Sequence, residues 1–233
     1  MATVTETSTE KANASQVPIG EDRWVEFPAT WKIYNALCAR RGEKSRPKYT
    51  FIDGRMLVVS PGHSHESFGS RVIALIQEIV VELAIHCHVA GSVTLKKTAK
   101  SRAGTEADAT YYFRHFKSIQ GKENLVMGVD PPPDLVVEVV ISHPEMKALE
   151  AYRRFGVREV WVCKKSGLEF LVFGENGRYV TSPHSVCLPF LSSKELEPWV
   201  YQDHRGNDTR VLKQFRAWVA ETLAPRHQQD PEA

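Results

Sequence analysis

Apolar positions follow two different spacings along the chain, and together these predict a mixed α/β protein. Over residues 64–83, apolar side chains recur every three or four positions, which predicts a long helix with one face in the core. Residues 24–41 carry a shorter stripe of the same spacing and are also predicted to be helical. Two short apolar runs flank Asp53-Gly54, a pair that favours the tight turn of a β-hairpin.

The second half of the chain is organised around one apolar strand, predicted at residues 135–141. It is apolar on both faces except at Glu138, as expected for a strand that is covered on both sides. The pattern then predicts a helix over residues 144–155 and further strands at residues 159–162 and 168–173. This order of elements predicts an α/β (α+β) fold in which helices flank a mixed central sheet.

Length and composition fit one globular domain with short tails. The chain has 233 residues, and we expect a single domain over residues 21–223. Residues 1–20 are rich in Thr, Ser, Ala and Glu and lack an apolar run, so they are predicted to form a disordered tail. Residues 224–233 are predicted to be a frayed tail. The net charge of +2 excludes a strongly basic nucleic-acid coat protein but allows a local basic patch.

The sequence also predicts a cellular compartment. No segment is long and apolar enough to span a membrane, and we expect no signal peptide. The four cysteines form no Cys-x-x-Cys pair, which is typical of reduced thiols. We therefore expect a cytoplasmic protein that has no contact with membranes.

Two acidic clusters supply the candidate chemistry. The first contains Glu106 and Asp108 and leads into a predicted strand, and the second contains Glu138. A carboxylate inside an apolar strand must be paired, protonated or bound to a metal, because burying it bare is costly. Two interpretations of Glu138 stay open, namely an ion pair with Arg153 or Arg154 and a metal site.

The metal interpretation depends on the spacing of neighbouring strands. If Asp108 and Glu138 lie on adjacent strands about 4.8 Å apart, their carboxylates can share one hard cation such as Mg²⁺ or Mn²⁺. Such a cation polarises a phosphoryl oxygen and lowers the pKa of a bound water. Lys147 would then orient that water or stabilise the developing negative charge. Glu66 or His65, at the start of the long helix, would complete the metal sphere or act through a water.

Two basic segments are candidates for phosphate contact. A predicted loop carries four basic residues, Lys96, Lys97, Lys100 and Arg102. This loop would bind a nucleic-acid backbone, and a solvated loop is the alternative. An earlier basic run over residues 40–48, which ends at Lys48, is interpreted as a solvated linker.

Five motifs in a fixed order resemble one known family. They are residues 49–54 (YTFIDG), Ser60-Pro61 followed by His65-Glu66, residues 104–108 (GTEAD), residues 133–139 (PDLVVEV) and residues 152–161 (YRRFGVREVW). Each motif alone is weak, whereas five in order with consistent spacing are specific. They are similar to the Uma-two family of restriction-endonuclease-like proteins, within the PD-(D/E)XK nuclease superfamily. The resemblance covers residues 31–191.

The resemblance implies a restriction-endonuclease-like fold and Mg²⁺-dependent cleavage of DNA. It implies that Asp108 binds the metal and that Glu138 is the acidic residue of the (D/E)XK element. The lysine that follows this acid by two positions in the superfamily is replaced by Val140. In this family the lysine lies on the next helix, commonly four residues before a tyrosine, and Lys147 lies five before Tyr152. One helical position corresponds to a rotation of about 100°.

The shifted lysine leaves an alternative function open. A catalytically degenerate relative would keep the fold and bind DNA or a protein partner without cleavage. A third interpretation is a hydrolase that uses the same carboxylates on a small phosphate ester. For a nuclease that cuts both strands of a duplex, a homodimer would be favoured, because one site faces one strand.

Overall fold

The computed structural model describes residues 21–42, 44, 46–97, 102–122, 125–142, 146–202 and 207–229. The predicted tail at residues 1–20 and Lys100 of the basic loop lie outside these residues. The described residues form two β-sheets and a set of helices that cover them. No helix among them is long and apolar enough to cross a membrane.

Eleven strands occur in the part of the chain that is described. The first sheet contains β1 (Arg23–Pro28), β2 (Lys48–Ile52), β3 (Arg55–Ser60), β5 (Thr94–Lys97) and β6 (Ala103–Glu106). The second contains β4 (His88–Val89), β7 (Ala109–Tyr112), β8 (Leu135–Val140), β9 (Glu159–Lys164), β10 (Gly167–Phe173) and β11 (Tyr179–Ser182). Their order is β1-β3-β2-β6-β5 in the first sheet and β11-β10-β9-β8-β7-β4 in the second.

The helices follow the same numbering along the chain. They are α1 (Trp31–Arg41), α2 (His63–Glu82), α3 (Phe116–Ile119), α4 (Met146–Phe155), α5 (Ser193–Tyr201), α6 (Asp208–Trp218) and α7 (Ala224–Gln228). A π-helical turn, Val219–Leu223, joins α6 to α7.

The second sheet is mixed, as the sequence predicted. Strands β8 and β9 are parallel and are connected through α4, whereas the other pairings in this sheet are antiparallel. A parallel connection of this kind requires a crossover, and α4 provides it. The predicted mixed central sheet with flanking helices is therefore confirmed.

Alternation along β8 divides the core into two parts. Leu135, Val137 and Val139 point to the face that α2 covers with its apolar stripe. Val136 and Val140 point to the opposite face, where α4 packs. Apolar residues of β2, β5 and β6 also contact this second cluster, so α4 lies between the two sheets. A polar side chain at position 138 therefore faces α4.

Three local predictions differ from the structure. The helix predicted over residues 24–41 begins only at Trp31, and Arg23–Pro28 instead forms an edge strand that pairs with β3. Thr30 separates the two elements, because its side chain accepts a hydrogen bond from Ile33 N and caps α1. Lys96 and Lys97 lie in β5 rather than in a loop. Residues 224–228, assigned above to a frayed tail, form α7.

The close approach of α1 to the first sheet makes Gly104 a sensitive position. A Cβ atom at Gly104 would overlap the ring of Tyr34, with even Cε1 only 2.6 Å away. Tyr34 is fully buried, so its ring cannot move into solvent to relieve the overlap.

We predict that Gly104→Ala lowers the free energy of unfolding by about 1–3 kcal/mol, measured by chemical denaturation, because it overpacks the core. Gly69→Ala is the matched control. Its Cβ would lie 3.6 Å from Val139 Cγ2, an ordinary contact. In a helix interior, alanine gains about 0.5–1 kcal/mol over glycine. Equal destabilisation by both substitutions would contradict the packing described here.

Candidate active site

The chain crosses from the first sheet to the second at Ala107 and Asp108. Strand β6 ends at Glu106 and β7 begins at Ala109, so Asp108 lies at the junction of the two sheets. The β7–β8 ladder ends with Ala109 paired to Val137, so Asp108 and Glu138 are the next residues beyond this last pair on the two segments. Neighbouring strands lie about 4.8 Å apart. The two predicted acids therefore lie at the same end of this ladder.

Strand β8 fixes the Asp108 carboxylate through its backbone. Asp108 N donates to Val137 O at 3.1 Å, and Val139 N donates to Asp108 Oδ2 at 2.9 Å. These bonds lie on either side of Glu138 in the sequence. The geometry of the two carboxylates thus depends on the same strand.

Two cationic side chains contact the other oxygen of Asp108. Lys48, the first residue of β2, forms an ion pair with Oδ1, and His65 Nε2 lies 2.9 Å from the same atom. Burial opposes ionisation of Asp108, but the charge of Lys48 and the hydrogen bond from His65 hold its pKa well below the usual range. These contacts therefore favour the ionised form of Asp108.

His65 links Asp108 to a second buried carboxylate. Its Nδ1 lies 3.3 Å from Asp22 Oδ2, and its side chain is only 2% exposed. Asp22 Oδ1 also accepts a hydrogen bond from Gly62 N at 3.0 Å, at the N-terminus of α2. Burial alone would lower the pKa of His65, yet the hydrogen bonds to Asp108 and Asp22 raise it to about 9. The protonated ring can donate one hydrogen bond to each carboxylate.

Glu138 binds a tyrosine rather than an arginine in the contacts described. Tyr152 on α4 donates its hydroxyl to Glu138 Oε2 at 2.6 Å. Burial and the charge of Glu138 raise the pKa of Tyr152 well above its ordinary value, so the hydroxyl keeps its proton. Arg153 and Arg154, the alternative partners considered from the sequence, contact Glu150 at 2.5–2.9 Å. Helix α4 thus contributes one hydrogen bond that holds Glu138 in place.

The neighbouring Glu106 belongs to a separate ion pair. It binds Arg41 of α1, and both side chains are buried. Arg41 also donates to Pro47 O at 2.9 Å. Burial raises the pKa of Glu106, although the guanidinium of Arg41 acts in the opposite direction. This pair supports the junction between α1 and β6.

A cavity of about 200 Å³ leads to Asp108. Its lining includes Lys48, His65 and Asp108. It also includes Arg46 and Glu66, which form an ion pair and are 49% and 43% exposed in their side chains. The exposed pair therefore marks the solvent end of the cavity. Glu66 lines the same cavity as Asp108, and its described partner is Arg46; the role predicted for it stays a prediction.

Lys147 lies elsewhere in the described contacts. Its Nζ is 2.9 Å from Glu26 Oε1 on β1, and it does not line the cavity at Asp108. Glu26 also binds Arg55 of the paired strand β3. The catalytic role predicted for Lys147 stays a prediction that this geometry does not support.

The predicted phosphate-contacting residues are dispersed. Lys96 Nζ lies 5.4 Å from the centre of the Tyr34 ring, and Lys97 Nζ donates to Arg154 O at 2.9 Å. Arg102 is exposed. Their contact with nucleic acid stays a prediction.

Lys48 is the residue that sequence reasoning missed. It stands at the end of a basic run, which made it resemble the other residues of a solvated linker. The signal that could have found it is the alternation of β2, where Lys48 and Thr50 share a face. Thr50 Oγ1 lies 2.7 Å from Thr105 Oγ1 of the neighbouring strand, so this face is buried against the site.

Asp108 and Glu138 are oxygen donors of the type that hard divalent cations bind. No group of three or more His, Cys, Asp and Glu side chains suited to a metal occurs among the described residues. Mg²⁺ commonly uses only one or two carboxylates and completes its shell with water and phosphate. Burial lowers the pKa of Lys48, but the charges of Asp108 and Glu138 raise it to a net value above normal. A positive charge is therefore stabilised at this point.

Comparison with known families identifies the region of the chain that contains this site. A family model named Uma2, with the description "Putative restriction endonuclease", matches residues 31–203. The chain belongs to the Uma2 family. The match includes the five motifs that suggested this family from the sequence, together with Asp108 and Glu138. No curated protein sequence matches this Uma2 protein.

A solved structure shares the fold. It is described as "a putative nuclease belonging to DUF820" from Anabaena variabilis ATCC 29413. The TM-score is 0.51 at 16% sequence identity, and the match covers 70% of this chain and 96% of the other. The restriction-endonuclease-like fold predicted from the sequence is therefore confirmed.

The pKa of His65 makes stability depend on pH. The folded protein binds this proton more tightly than the unfolded chain, whose histidine titrates near 6.5. The stabilisation is complete below about pH 6.5 and is lost as pH rises through about 9. We predict that raising the pH across this window removes on the order of 3 kcal/mol from the free energy of unfolding.

Urea denaturation of the wild type and His65→Gln across that pH range measures this effect. The variant should be less stable at pH 6.5 and should lack most of the decline. His63→Gln is the matched control, because His63 is exposed and two residues away on the same helix. An unchanged decline in His65→Gln would contradict the assignment.

Proposed function

We propose that this Uma2 protein is a Mg²⁺-dependent nuclease that hydrolyses phosphodiester bonds in DNA. The observation that carries the proposal is the Asp108 carboxylate, which lines a cavity, together with the buried Glu138 of the adjoining strand β8. The family description and the shared fold support a nuclease. The metal and the substrate are inferred from the chemistry of this pair.

Asp108 and Glu138 would hold the metal. When bound, Mg²⁺ would supply polarisation of a phosphoryl oxygen and a water of lowered pKa. The protein's own residues keep the two ligands in place. Val139 N and His65 form hydrogen bonds with the Asp108 carboxylate and stabilise its ionised form. Tyr152 donates a hydrogen bond to Glu138. We expect these hydrogen-bond partners to raise metal affinity or activity, because the partners of metal ligands commonly contribute 10- to 100-fold to either.

The entrance of the cavity carries groups that suit a phosphate chain. Arg46 is half exposed there and would meet a backbone phosphate once its ion pair with Glu66 opens. Glu66 would then act as an accessory acid through a water. Arg102 would add an outer phosphate contact. Cleavage of both strands would require a second site, which a homodimer supplies.

One observation favours a second candidate function. Lys48 and protonated His65 both contact Oδ1 of Asp108, so cations of the protein already neutralise this carboxylate. The carboxylate is thus paired without a metal, as expected of a relative that binds DNA or a protein partner without cutting. Under this alternative, metal would bind weakly and DNA binding would not depend on it.

Nicking of supercoiled plasmid in Mg²⁺ or Mn²⁺ tests the proposal. We predict that wild type nicks the plasmid and that Asp108→Asn and Glu138→Gln are slower by more than about 100-fold, because ligands contribute at least as much as their outer partners. A partial loss in Glu66→Gln would support its accessory role.

Glu169→Gln is the matched control, because Glu169 is a partly exposed acid of β10 that binds Lys164. It should cut like wild type. Full activity in Asp108→Asn would overturn the site. Absence of nicking by wild type under conditions where metal binds would favour the binding-only alternative.

A further inference from the structure

The candidate site already contains a lysine, and it comes from an unexpected element. Lys48 begins β2 in the first sheet, whereas Asp108 and Glu138 belong to the junction with the second sheet. Its ammonium binds Asp108, its side chain is 12% exposed, and it lines the cavity. The lysine expected from α4, Lys147, binds Glu26 instead.

We propose that Lys48 is the catalytic lysine of this site and that its ammonium competes with the divalent cation for Asp108. This inference rests on the proposed nuclease function and adds a residue that the sequence motifs do not indicate. Two claims follow from it. The lysine acts on the scissile phosphate, and it controls how tightly the metal binds.

Burial of Lys48 is the first argument. Removing an ammonium from water is costly, and an apolar side chain of similar volume at the edge of a core is often equally stabilising. Burying this lysine therefore costs free energy of folding, and stability of the fold does not require a lysine at this position. A catalytic role beside Asp108, which the ammonium contacts, would explain why this charge is buried.

The position of β2 is the second argument. Thr50, on the same face as Lys48, bonds to Thr105 of β6 and holds the strand in register with the segment that leads to Asp108. The four-carbon stem of a lysine is flexible. When a cation takes its place on Asp108, the ammonium can move within the cavity towards a bound phosphate without movement of the strand.

The surroundings of Lys147 are the third argument. Its partner Glu26 is on the edge strand β1 and also binds Arg55. Lys147 would have to leave this carboxylate to reach Asp108. One helical position rotates a side chain by about 100°, which accounts for a lysine that points away from the carboxylates.

The chemical role of Lys48 is electrostatic. In the hydrolysis, the oxygen of a water forms a bond to phosphorus and the bond from phosphorus to one sugar oxygen breaks. One proton of the water is lost to solvent, and the sugar oxygen takes up a proton as it leaves. Lys48 stays protonated, and its charge offsets the negative charge that develops on the phosphoryl oxygens.

Metal binding without DNA tests the competition directly. Titration calorimetry with Mn²⁺ should show roughly tenfold or more tighter binding to Lys48→Met than to wild type, because a competing charge is removed. Lys147→Met is the matched control and should bind like wild type. Equal or weaker binding by a folded Lys48→Met overturns the competition. Lys48→Arg, which keeps the charge, should bind no more tightly than wild type.

Plasmid nicking tests the catalytic claim with the same variants. Lys48→Met should be slower by about 100-fold or more, the typical effect of losing one group that stabilises developing charge. Lys147→Met should stay close to wild type. If Lys147→Met loses activity and Lys48→Met keeps it, Lys48 is not the catalytic lysine. Circular dichroism confirms folding, and Lys48→Gln, which also removes the charge and should show the same loss of nicking, replaces Lys48→Met if that variant does not fold.

The two measurements separate this inference from the proposed function. Nicking by wild type with unchanged nicking by Lys48→Met overturns the role of Lys48 alone. Absence of nicking by wild type, together with measured Mn²⁺ binding, overturns the nuclease function and with it the catalytic claim. Tighter Mn²⁺ binding by Lys48→Met would still support the competition in that case.

Discussion

The buried anion of Asp108 is the constraint on which the rest of the site depends. Its carboxylate is bonded to the backbone of β8, to Lys48 from the first sheet and to His65 from α2. Three separate elements therefore meet at one side chain. A carboxylate removed from water needs such partners, because each oxygen left unbonded would be costly. The relative position of the sheets and α2 thus follows partly from electrostatics rather than from apolar packing alone.

Ion pairing gives the site both its stability and its sensitivity. The acids Asp22, Asp108 and Glu138 lie around the bases Lys48 and His65, and buried ion pairs of this kind contribute less to folding than their Coulomb energy suggests. The loss of folding free energy is large when one partner of such a pair is removed, because the other charge then stays buried without its partner. A divalent cation on Asp108 would displace the Lys48 ammonium from a contact that also joins two elements of the fold. Function and stability are therefore coupled through the same side chains.

The sequence draws attention to Asp108 and Glu138 but not to Lys48, and the physical reasons differ. The two acids stand out because a polar residue inside or beside an apolar strand is conspicuous. Lys48 was missed because a strand that starts with a lysine looks like the end of a basic linker. Strand β1 was mistaken for helix because its apolar residues, Trp24 and Val25, are exposed and follow no clear alternation. The orientation of Lys147 depends on a partner in β1, which no local pattern could reveal.

The hydrogen bond between Asp22 and His65 has a consequence for the limits of the functional unit. Asp22 precedes residue 31, where the family match begins, yet it completes the buried network around Asp108. The same is true of Glu26, which holds Lys147. A chain shortened to the matched region would keep every family motif and lose both of these carboxylates. The family match and the electrostatic unit therefore have different boundaries in this protein.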